Sequence, residues 1–161
     1  MSLFPPQTID SYMLSREDVD HPLSSYSDFP FELEGLQWQT VEHYFQAMKF
    51  VNETYREKVR VAKGAGAAKK LGKARFKKIR KDWKTIDDII MTRAVYTKAK
   101  THDAVAKALM DTGDKKIIEN SQYDYIWGCG RDGRGLNQYG IVLMNVRDKL
   151  LQERAALKGS E

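Results

Sequence analysis

Four polar side chains between residues 42 and 53 have a spacing that aligns them on one face of a helix. At about 100° per residue, positions i, i+4, i+7 and i+11 share a face. Those positions are Glu42, Gln46, Lys49 and Glu53. A carboxylate can activate water or stabilise positive charge, and an uncharged amine can attack an electrophilic carbon. The stripe is therefore a candidate catalytic face, although a solvated surface helix has the same pattern.

Aromatic residues border this polar stripe. Phe45 and Phe50 fall on its two sides, and the opposite face of the helix is apolar. The apolar face consists of Val41, Tyr44, Ala47, Met48 and Val51. Thr40 is a suitable N-cap and places Glu42 in the first turn, where the helix dipole favours a carboxylate. A carboxylate and an amine between aromatic rings indicate a lined pocket.

The second candidate site is the glycine-rich segment 127–137, which contains Gly128, Gly130, Gly133 and Gly135. Its spacing matches a dinucleotide fingerprint, but no βαβ unit fits in the remaining chain. A better interpretation is a nest of backbone N–H groups at the start of the last helix, backed by Arg131 and Arg134 as a phosphate or ribose cradle. Trp127 would stack on a base or line the sugar. A glycine-rich turn beside a core tryptophan would have the same sequence.

Basic residues are concentrated between positions 63 and 84, in a chain of net charge +5. They are Lys63, Lys69, Lys70, Lys73, Arg75, Lys77, Lys78, Arg80, Lys81 and Lys84, opposed only by Asp82. The block would attract the phosphates of a nucleotide or nucleic acid, unless it is a solvated basic face. Direct nucleic-acid readout is less supported, because only Phe76 and Trp83 are interleaved and no binding signature is present.

Length and composition indicate one globular domain. The chain has 161 residues, 42% of them hydrophobic and 30% charged. No apolar run approaches the roughly 20 residues of a membrane span and the start lacks a secretory signal, so we expect a cytoplasmic protein without a membrane partner. A single cysteine, Cys129, excludes an internal disulfide. His21, His43 and His102 lack metal-ligand spacing, so we expect neither a metal nor a cofactor.

The sequence predicts a mainly α single domain with a minor strand component. We expect an irregular lead-in at residues 1–22, the domain at residues 23–156 and a polar tail at residues 157–161. Apolar residues on both sides of Gly35 predict a short hairpin, and the β-branched pair at 117–118 predicts a small strand.

Apolar periodicity and cap residues predict the helices. They are residues 41–62, a short helix ending near Gly72, a helix capped by Asp82, a helix capped by Thr101 or Asp103 that ends before Gly113, and residues 138–156. We expect the helix after Asp82 to pack against the first helix. Its inward stripe would include Ile86, Ile89 and Ile90.

Several separate motifs resemble those of the NADAR family, in the same order over roughly residues 23–151. They are Glu42-His43-Tyr44-Phe45-Gln46-Ala47-x-Lys49, Arg80-x-Asp82-Trp83 with Met91 after it, Glu119-x-x-x-x-Asp124-x-x-Trp127-Gly128, and Gly130-x-x-Gly133-x-Gly135-x-Asn137-x-x-Gly140. One early motif departs from the family. Where the family usually has Leu-Ser-Asn-Phe/Tyr, this chain has Leu23-Ser24-Ser25-Tyr26, so an amide that could touch a ligand is absent.

The resemblance implies a mostly helical fold that hydrolyses an N-glycosidic bond between a ribose phosphate, or ADP-ribose, and an amino group or nucleobase. Family substrates are phosphorylated ribosylaminopyrimidines of the riboflavin pathway and, in other members, ADP-ribosylated guanine in nucleic acid. By position, it implies catalytic roles for Glu42, Lys49 and Asp124. Substrate contacts would come from Tyr26, Gln46, Trp127, Gly128, Gly130, Arg131, Gly133, Arg134, Gly135 and Asn137.

Two mechanisms suit these residues. In the first, which we favour, a neutral Lys49 attacks the opened sugar and forms a Schiff base. In the second, Glu42 or Asp124 activates water against an oxocarbenium-like centre while Lys49 holds a phosphate or hydroxyl. An ion pair between Glu42 and Lys49 would raise the pKa of Lys49 and favour the second route. The competing functions are an ADP-ribose-binding module that does not cleave its ligand and a nucleic-acid-binding protein that uses the basic block.

Overall fold

The computed structural model describes residues 10–160, which form six helices and four short strands. The strands are β1 (Ser11–Leu14), β2 (Phe31–Leu33), β3 (Leu36–Trp38) and β4 (Lys116–Glu119). The helices are α1 (Val41–Met48), α2 (Glu53–Arg60), α3 (Ala65–Leu71), α4 (Trp83–Thr101), α5 (Asp103–Asp111) and α6 (Gln138–Gly159). The mainly α fold is as expected. None of these helices combines the length and the apolar character that crossing a membrane requires.

The strands form two small sheets. β2 and β3 are the predicted hairpin, and their turn places Glu34 and Gly35 at φ 56° and 78°. β4 includes the predicted pair at 117–118, but it pairs in parallel with β1. Residues 11–14 were expected to be irregular, and that expectation is wrong. The partner strand lies about a hundred residues further along the chain, so local periodicity carries no signal for it.

The predicted helix at 41–62 is two helices. Phe50 is fully buried and forms an antiparallel bridge with Ile79, which stops α1. Asn52 then caps α2 by accepting a hydrogen bond from the N–H of Tyr55 at 2.8 Å. Glu53 therefore begins a new helix and does not continue the polar stripe of α1. At the other end of the chain, α6 continues to Gly159, three residues past its predicted end, so the first part of the expected tail is helical.

Helix α1 is the centre of the packing. Every residue of α1 is buried, including its polar ones, and α2, α3 and α4 pack around it. The predicted contact between α1 and α4 is confirmed. The core face of α4 contains Ile90, Met91, Ala94 and Val95. Ile89, which was expected on that face, is 52% exposed.

Lys98 of α4 is buried and ties this helix to the segment before β2. Its Nζ donates to the carbonyl of Ser24 and to Oγ of Ser27, both at 2.8 Å, and lies 5.3 Å from the ring centre of Phe29. Burial lowers the pKa of Lys98 to about 7. A buried ammonium must be fully hydrogen-bonded, so this contact fixes the position of residues 24–27.

The titration of Lys98 should be visible in the stability of the protein. Its pKa is about 7 in the folded state and about 10.4 in an unfolded chain. Between these values only the unfolded state holds the proton. The free energy of unfolding should therefore rise with pH, by up to about 1.4 kcal/mol per pH unit for this one group. Below pH 7 both states are protonated, and the contribution is constant.

Urea unfolding of the wild type and of Lys98→Met from pH 6 to pH 10 measures this contribution. The wild type should gain stability relative to the variant between pH 7 and pH 10, because methionine cannot titrate. Parallel curves across that range would contradict the prediction.

Candidate functional site

Glu42 lies in the first turn of α1 and is 0% exposed. Its carboxylate accepts four hydrogen bonds. Arg16 Nη2 donates to both oxygens, at 3.0 and 2.9 Å. Ser25 Oγ and Gln46 Nε2 donate at 2.8 Å each. Ser25, which stands where the family amide was expected, thus binds the carboxylate through its hydroxyl.

The start of α1 sets the position of Glu42. Thr40 Oγ1 accepts a hydrogen bond from the N–H of His43 at 3.2 Å, so the predicted N-cap is confirmed. The N–H of Glu42 donates to the carbonyl of Ser25 at 3.0 Å. The His43 ring contacts Thr40 Oγ1 and the Ala62 carbonyl, and burial lowers its pKa. The hydrogen bonds of His43 therefore hold the start of α1 in place, and none of them is to the Glu42 carboxylate.

Arg16, in the turn after β1, is the site residue that sequence reasoning missed. Its side chain is 4% exposed, and its guanidinium carbon lies 5.9 Å, 5.7 Å and 6.0 Å from the ring centres of Phe45, Trp127 and Tyr139. Burial disfavours its charge, but Glu42 outweighs that effect and raises the pKa of Arg16. A lone arginine in an apparently irregular segment carries no signal. A buried glutamate does require a cation, which was the one available hint.

Lys49 follows the last residue of α1 and is half-buried. Its Nζ donates to the carbonyl of Gly72 at 2.8 Å. Burial lowers the pKa of Lys49, the charge of Lys73 lowers it further, and Glu42 opposes both effects. Among the described residues, the ion-pair partner of Glu42 is Arg16, and Lys49 makes no ion pair.

Gln46 lies between Glu42 and Lys49 on α1. Its amide nitrogen serves Glu42, but its Oε1 is buried and has no hydrogen-bond partner among the described residues. This oxygen lies against Gly72, where a Cβ would fall 1.9 Å from it. The stripe predicted from the sequence therefore exists as far as Lys49, and its members are buried or half-buried.

Of the two aromatic residues expected to border the polar stripe of α1, Phe45 belongs to an aromatic cluster and Phe50 belongs to the core. Phe45 packs between Trp83 and Trp127, at centroid distances of 5.0 and 5.2 Å. Phe50 packs on Tyr55 and belongs to the core. Trp127 is only 9% exposed, and its ring contacts Phe45 and the guanidinium of Arg16. Its predicted contact with a base or sugar would use the small edge that remains accessible.

A cleft of about 680 Å³ opens above Arg16. It is lined by Arg16, Glu17, Lys69, Lys73 and residues 121–126. Asp124 is half-buried in this wall, and its Oδ1 accepts hydrogen bonds from the N–H groups of Ile126 and Trp127 at 3.0 and 2.8 Å. Lys69 is paired with Glu17 on the rim.

Tyr26 is half-buried next to this group of charges. Burial raises its pKa, and the negative charges of Glu42 and Glu17 act in the same direction. Its phenol therefore stays protonated and can donate a hydrogen bond. Tyr26 and Gln46 thus contact Arg16 and Glu42, and Lys49 follows them on the same helix face. Asp124 lines the cleft with Arg16, but Tyr26, Glu42, Gln46 and Lys49 are not among its lining residues.

Much of the backbone of the glycine-rich segment is already hydrogen-bonded. Its N–H groups donate to carbonyl oxygens of the loop and of neighbouring residues. These bonds are Cys129 N to Glu119 O at 2.9 Å, Gly130 N to Ser121 O at 3.1 Å, Gly133 N to Gly130 O at 3.4 Å, Gly135 N to Cys129 O at 2.7 Å, and Asn137 N to Gly128 O at 3.0 Å. Arg131 and Arg134 are exposed and do not line the cleft. The donors named above are already paired and cannot serve a phosphate, so the predicted cradle has no support from them.

Close packing explains two of these glycines. A Cβ on Gly128 would lie 2.4 Å from Glu119 Oε2, and one on Gly135 would lie 2.3 Å from the Gly128 carbonyl. The side chain of Asn137 is also engaged in hydrogen bonds with β4. It donates to the Ile117 carbonyl at 2.9 Å and accepts from the Glu119 N–H at 2.8 Å. This segment locks the end of β4, and its contacts with substrate stay a prediction.

Glu119, at the end of β4, joins the loop to the site. Its buried carboxylate accepts hydrogen bonds from the N–H of Arg16 at 2.9 Å and from the N–H and Oγ of Ser121 at 3.0 and 2.6 Å. Residues 10–160 contain no group of three His, Cys, Asp or Glu side chains that could hold a metal ion.

Gly128→Ala should disturb the site through Glu119. The added methyl would meet the carboxylate and two backbone carbonyls, those of Asp124 and Ser121, at 3.0 Å or less. We expect a loss of about 1–3 kcal/mol in the free energy of unfolding. Gly66→Ala is the matched control, because nothing lies within 4 Å of its Cβ position in α3, and it should gain up to about 1 kcal/mol. Equal effects of the two variants in thermal unfolding would contradict this account.

Glu42→Ala should be strongly destabilising. It leaves the Arg16 guanidinium buried without its counter-ion, which costs about 3–5 kcal/mol. The double variant Arg16→Met with Glu42→Leu removes both charges and should lose less stability than Glu42→Ala alone. Urea unfolding of the three proteins measures this, and a double variant less stable than the single one would refute the argument.

Comparisons with known proteins fit this architecture. The NADAR domain matches residues 10–151, a range that includes β1. N-glycosidase YbiA of Escherichia coli is 35% identical over 147 residues, which is 91% of each chain. N-glycosidase Npun_R5314 of Nostoc punctiforme is 36% identical, over 79% of this chain and 83% of its own. Riboflavin biosynthesis protein VVA0006 of Vibrio vulnificus is 36% identical over 83% of this chain but only 36% of its own.

The fold is also that of a solved relative. The NMR structure of E. coli YbiA superimposes with a TM-score of 0.82 at 33% identity, covering 90% of this chain and 87% of that one. Sequence and structure agree over nearly the same range. The chain therefore belongs to the NADAR family.

Proposed function

We propose that this protein hydrolyses the N-glycosidic bond between a ribose phosphate and an amino group of a pyrimidine, as in the phosphorylated ribosylaminopyrimidine intermediates of riboflavin biosynthesis. The protein is an N-glycosidase, since relatives with that name share 35 to 36% of its sequence over most of its length. A riboflavin biosynthesis protein among the relatives supports the choice of substrate. The observation that carries the proposal is a half-buried Lys49 amine that has no carboxylate partner within residues 10–160.

The cleft suits a phosphorylated ribosyl compound. Its volume of about 680 Å³ lies within the range of about 300–1,000 Å³ that small-molecule sites occupy. Of its lining cations, Arg16 and Lys69 are already paired with Glu42 and Glu17, so Lys73 is the one that would attract an anion. The charge of Lys73, which lies in the wall of the cleft, lowers the pKa of Lys49. A phosphate held by Lys73 would bring its sugar towards the amine.

Lys49 is the nucleophile in this proposal. The substrate ring opens when the N–H proton of the glycosylamine moves to the ring oxygen, which leaves an imine at C1. The Nζ lone pair of Lys49 adds to C1, and a proton passes from Nζ to the substrate nitrogen. As the second Nζ proton moves to that nitrogen, the bond from C1 to it breaks, the electron pair leaves with the amine, and C1 becomes doubly bonded to Nζ. Water then adds to C1, its two protons pass to Nζ, which departs as the amine, and the sugar aldehyde is released.

The geometry of Glu42 supports this route over water activation by Glu42. Each of its oxygens already accepts two hydrogen bonds, which fills the lone-pair sites of a carboxylate. The ion pair with Lys49 that would have favoured the second route is replaced by one with Arg16. Asp124 reaches the cleft and is the better candidate to carry the proton between the two nitrogens.

A second candidate is removal of ADP-ribose from guanine in nucleic acid. The observation in its favour is the position of the basic block, whose Lys69 and Lys73 line the cleft. Phe76 in the same block is 99% exposed and could stack on a base. Nucleic acid would then carry the scissile bond to the same pocket. Binding without cleavage is the third possibility, which the assay below separates from the other two.

Mass spectrometry of released base tests the proposal. Purified protein is offered a ribosylaminopyrimidine phosphate and, in parallel, ADP-ribosylated guanine DNA. Lys49→Ala should reduce release by at least about 100-fold. Lys107→Ala, which changes an exposed lysine on α5, is the matched control and should leave release unchanged. Borohydride added during turnover should fix the sugar to Lys49.

Each outcome assigns a function. Release from the pyrimidine substrate supports the proposal, and release only from DNA supports the second candidate. Ligand that binds without release from either substrate refutes hydrolysis and leaves a binding module. Full activity in Lys49→Ala would refute the nucleophile while keeping the reaction.

A further inference from the structure

Two basic side chains, Arg16 and Lys49, act on the charge balance of the buried Glu42 carboxylate, but only Arg16 is bound to it. Arg16 Nη2 donates to both oxygens of Glu42, at 3.0 and 2.9 Å. Lys49 is seven residues further along from Glu42, on the same face of α1, and donates instead to the carbonyl of Gly72 at 2.8 Å. Without Arg16, the nearest cation on that helix face would be Lys49.

Two further side chains donate hydrogen bonds to Glu42. Ser25 Oγ binds one oxygen and Gln46 Nε2 binds the other, each at 2.8 Å. Gln46 stands between Glu42 and Lys49 in the sequence of the helix face, and its amide nitrogen donates to Glu42 Oε1. A lysine that approached Glu42 would have to displace one of these donors.

We infer that Arg16 is a positioning residue that keeps the Glu42 carboxylate from pairing with Lys49, so that Lys49 is free to act as the nucleophile. Arg16 lies outside the four sequence motifs quoted above for the resemblance. The inference rests on the proposed function, because it explains how Lys49 reaches its reactive form. It assigns Arg16 no contact with the reacting atoms.

The charges around Lys49 agree with this role. Burial and the charge of Lys73 both lower the pKa of Lys49, and Glu42 is the one described group that raises it. Glu42 is in turn faced by Arg16, whose charge balances its own, and by the uncharged phenols of Tyr26 and Tyr139. The Arg16 Nε is buried and has no hydrogen-bond partner among the described residues, so the guanidinium is held mainly by Glu42 and by the rings around it.

Chemical labelling of Lys49 tests this inference without any substrate. Acetic anhydride reacts with neutral amines, and peptide mass spectrometry after labelling from pH 6 to pH 11 gives a midpoint for each lysine. In Arg16→Gln, Glu42 is left without its cation and can pair with Lys49. The Lys49 midpoint should then rise by about 1 pH unit or more. The midpoint of Lys107, on α5, is the internal control and should not move.

Two further variants keep the test decisive if Arg16→Gln does not fold. Glu42→Gln keeps the shape of the side chain but leaves the charge of Arg16 unopposed, so the Lys49 midpoint should fall. The double variant Arg16→Gln with Glu42→Gln removes both charges, and its midpoint should return towards the wild-type value. The difference between these two variants isolates the effect of the Arg16 charge on Lys49.

A purely structural role for Arg16 predicts unfolding or lower activity but no change in the labelling midpoint. Equal Lys49 midpoints in wild type and Arg16→Gln, or in Glu42→Gln and the double variant, would overturn the inference. The labelling result is independent of base release. A protein that shifts its Lys49 midpoint but releases no base would refute the proposed function and leave the role of Arg16 standing.

Discussion

The buried ion pair between Arg16 and Glu42 is the interaction on which the rest of the site depends. Removing two charges from water is costly, and their attraction offsets that cost only when the geometry is good and the remaining donors and acceptors are satisfied. Here the carboxylate is saturated by Arg16, Ser25 and Gln46. The pair also joins three separate parts of the chain, namely the turn after β1, the segment before β2, and α1. None of the three can move without breaking a charged hydrogen bond.

The parallel pairing of β1 with β4 brings Arg16 to that position. Leu14 pairs with Glu119 at the ends of the two strands, and the Glu119 carboxylate then accepts the N–H of Arg16. The glycine-rich segment packs on Glu119 so closely that Gly128 has no room for a side chain. The segment therefore supports the site indirectly, because it fixes the end of β4 and the Glu119 carboxylate that binds the Arg16 N–H. The same glycines that appeared to offer N–H groups to a phosphate are needed because the loop folds tightly on itself.

Local features of the sequence were sufficient to predict the start of α1 and the polar side chains on one of its faces. The cap at Thr40, the hairpin at Gly35 and the polar stripe as far as Lys49 all depend on residues a few positions apart. The interruption at Phe50 could not be predicted, because it depends on a bridge to Ile79 across the intervening helices. Arg16 was missed for the same reason. Its role is fixed by partners that lie 26 and 103 residues away.

The distribution of charge also constrains how such a site can turn over. Lys73 lines the cleft and its charge lowers the pKa of Lys49, so in the proposed reaction one cation would both attract the substrate phosphate and favour the neutral amine. A bound phosphate would cancel part of the field of Lys73 and raise the proton affinity of Lys49 just when the amine must attack. A bound phosphate would change the effect of the Arg16 charge less, because Arg16 is buried and already paired with Glu42. In the proposed reaction, the charge at Glu42 is therefore balanced by Arg16 whether or not a phosphate is bound in the cleft.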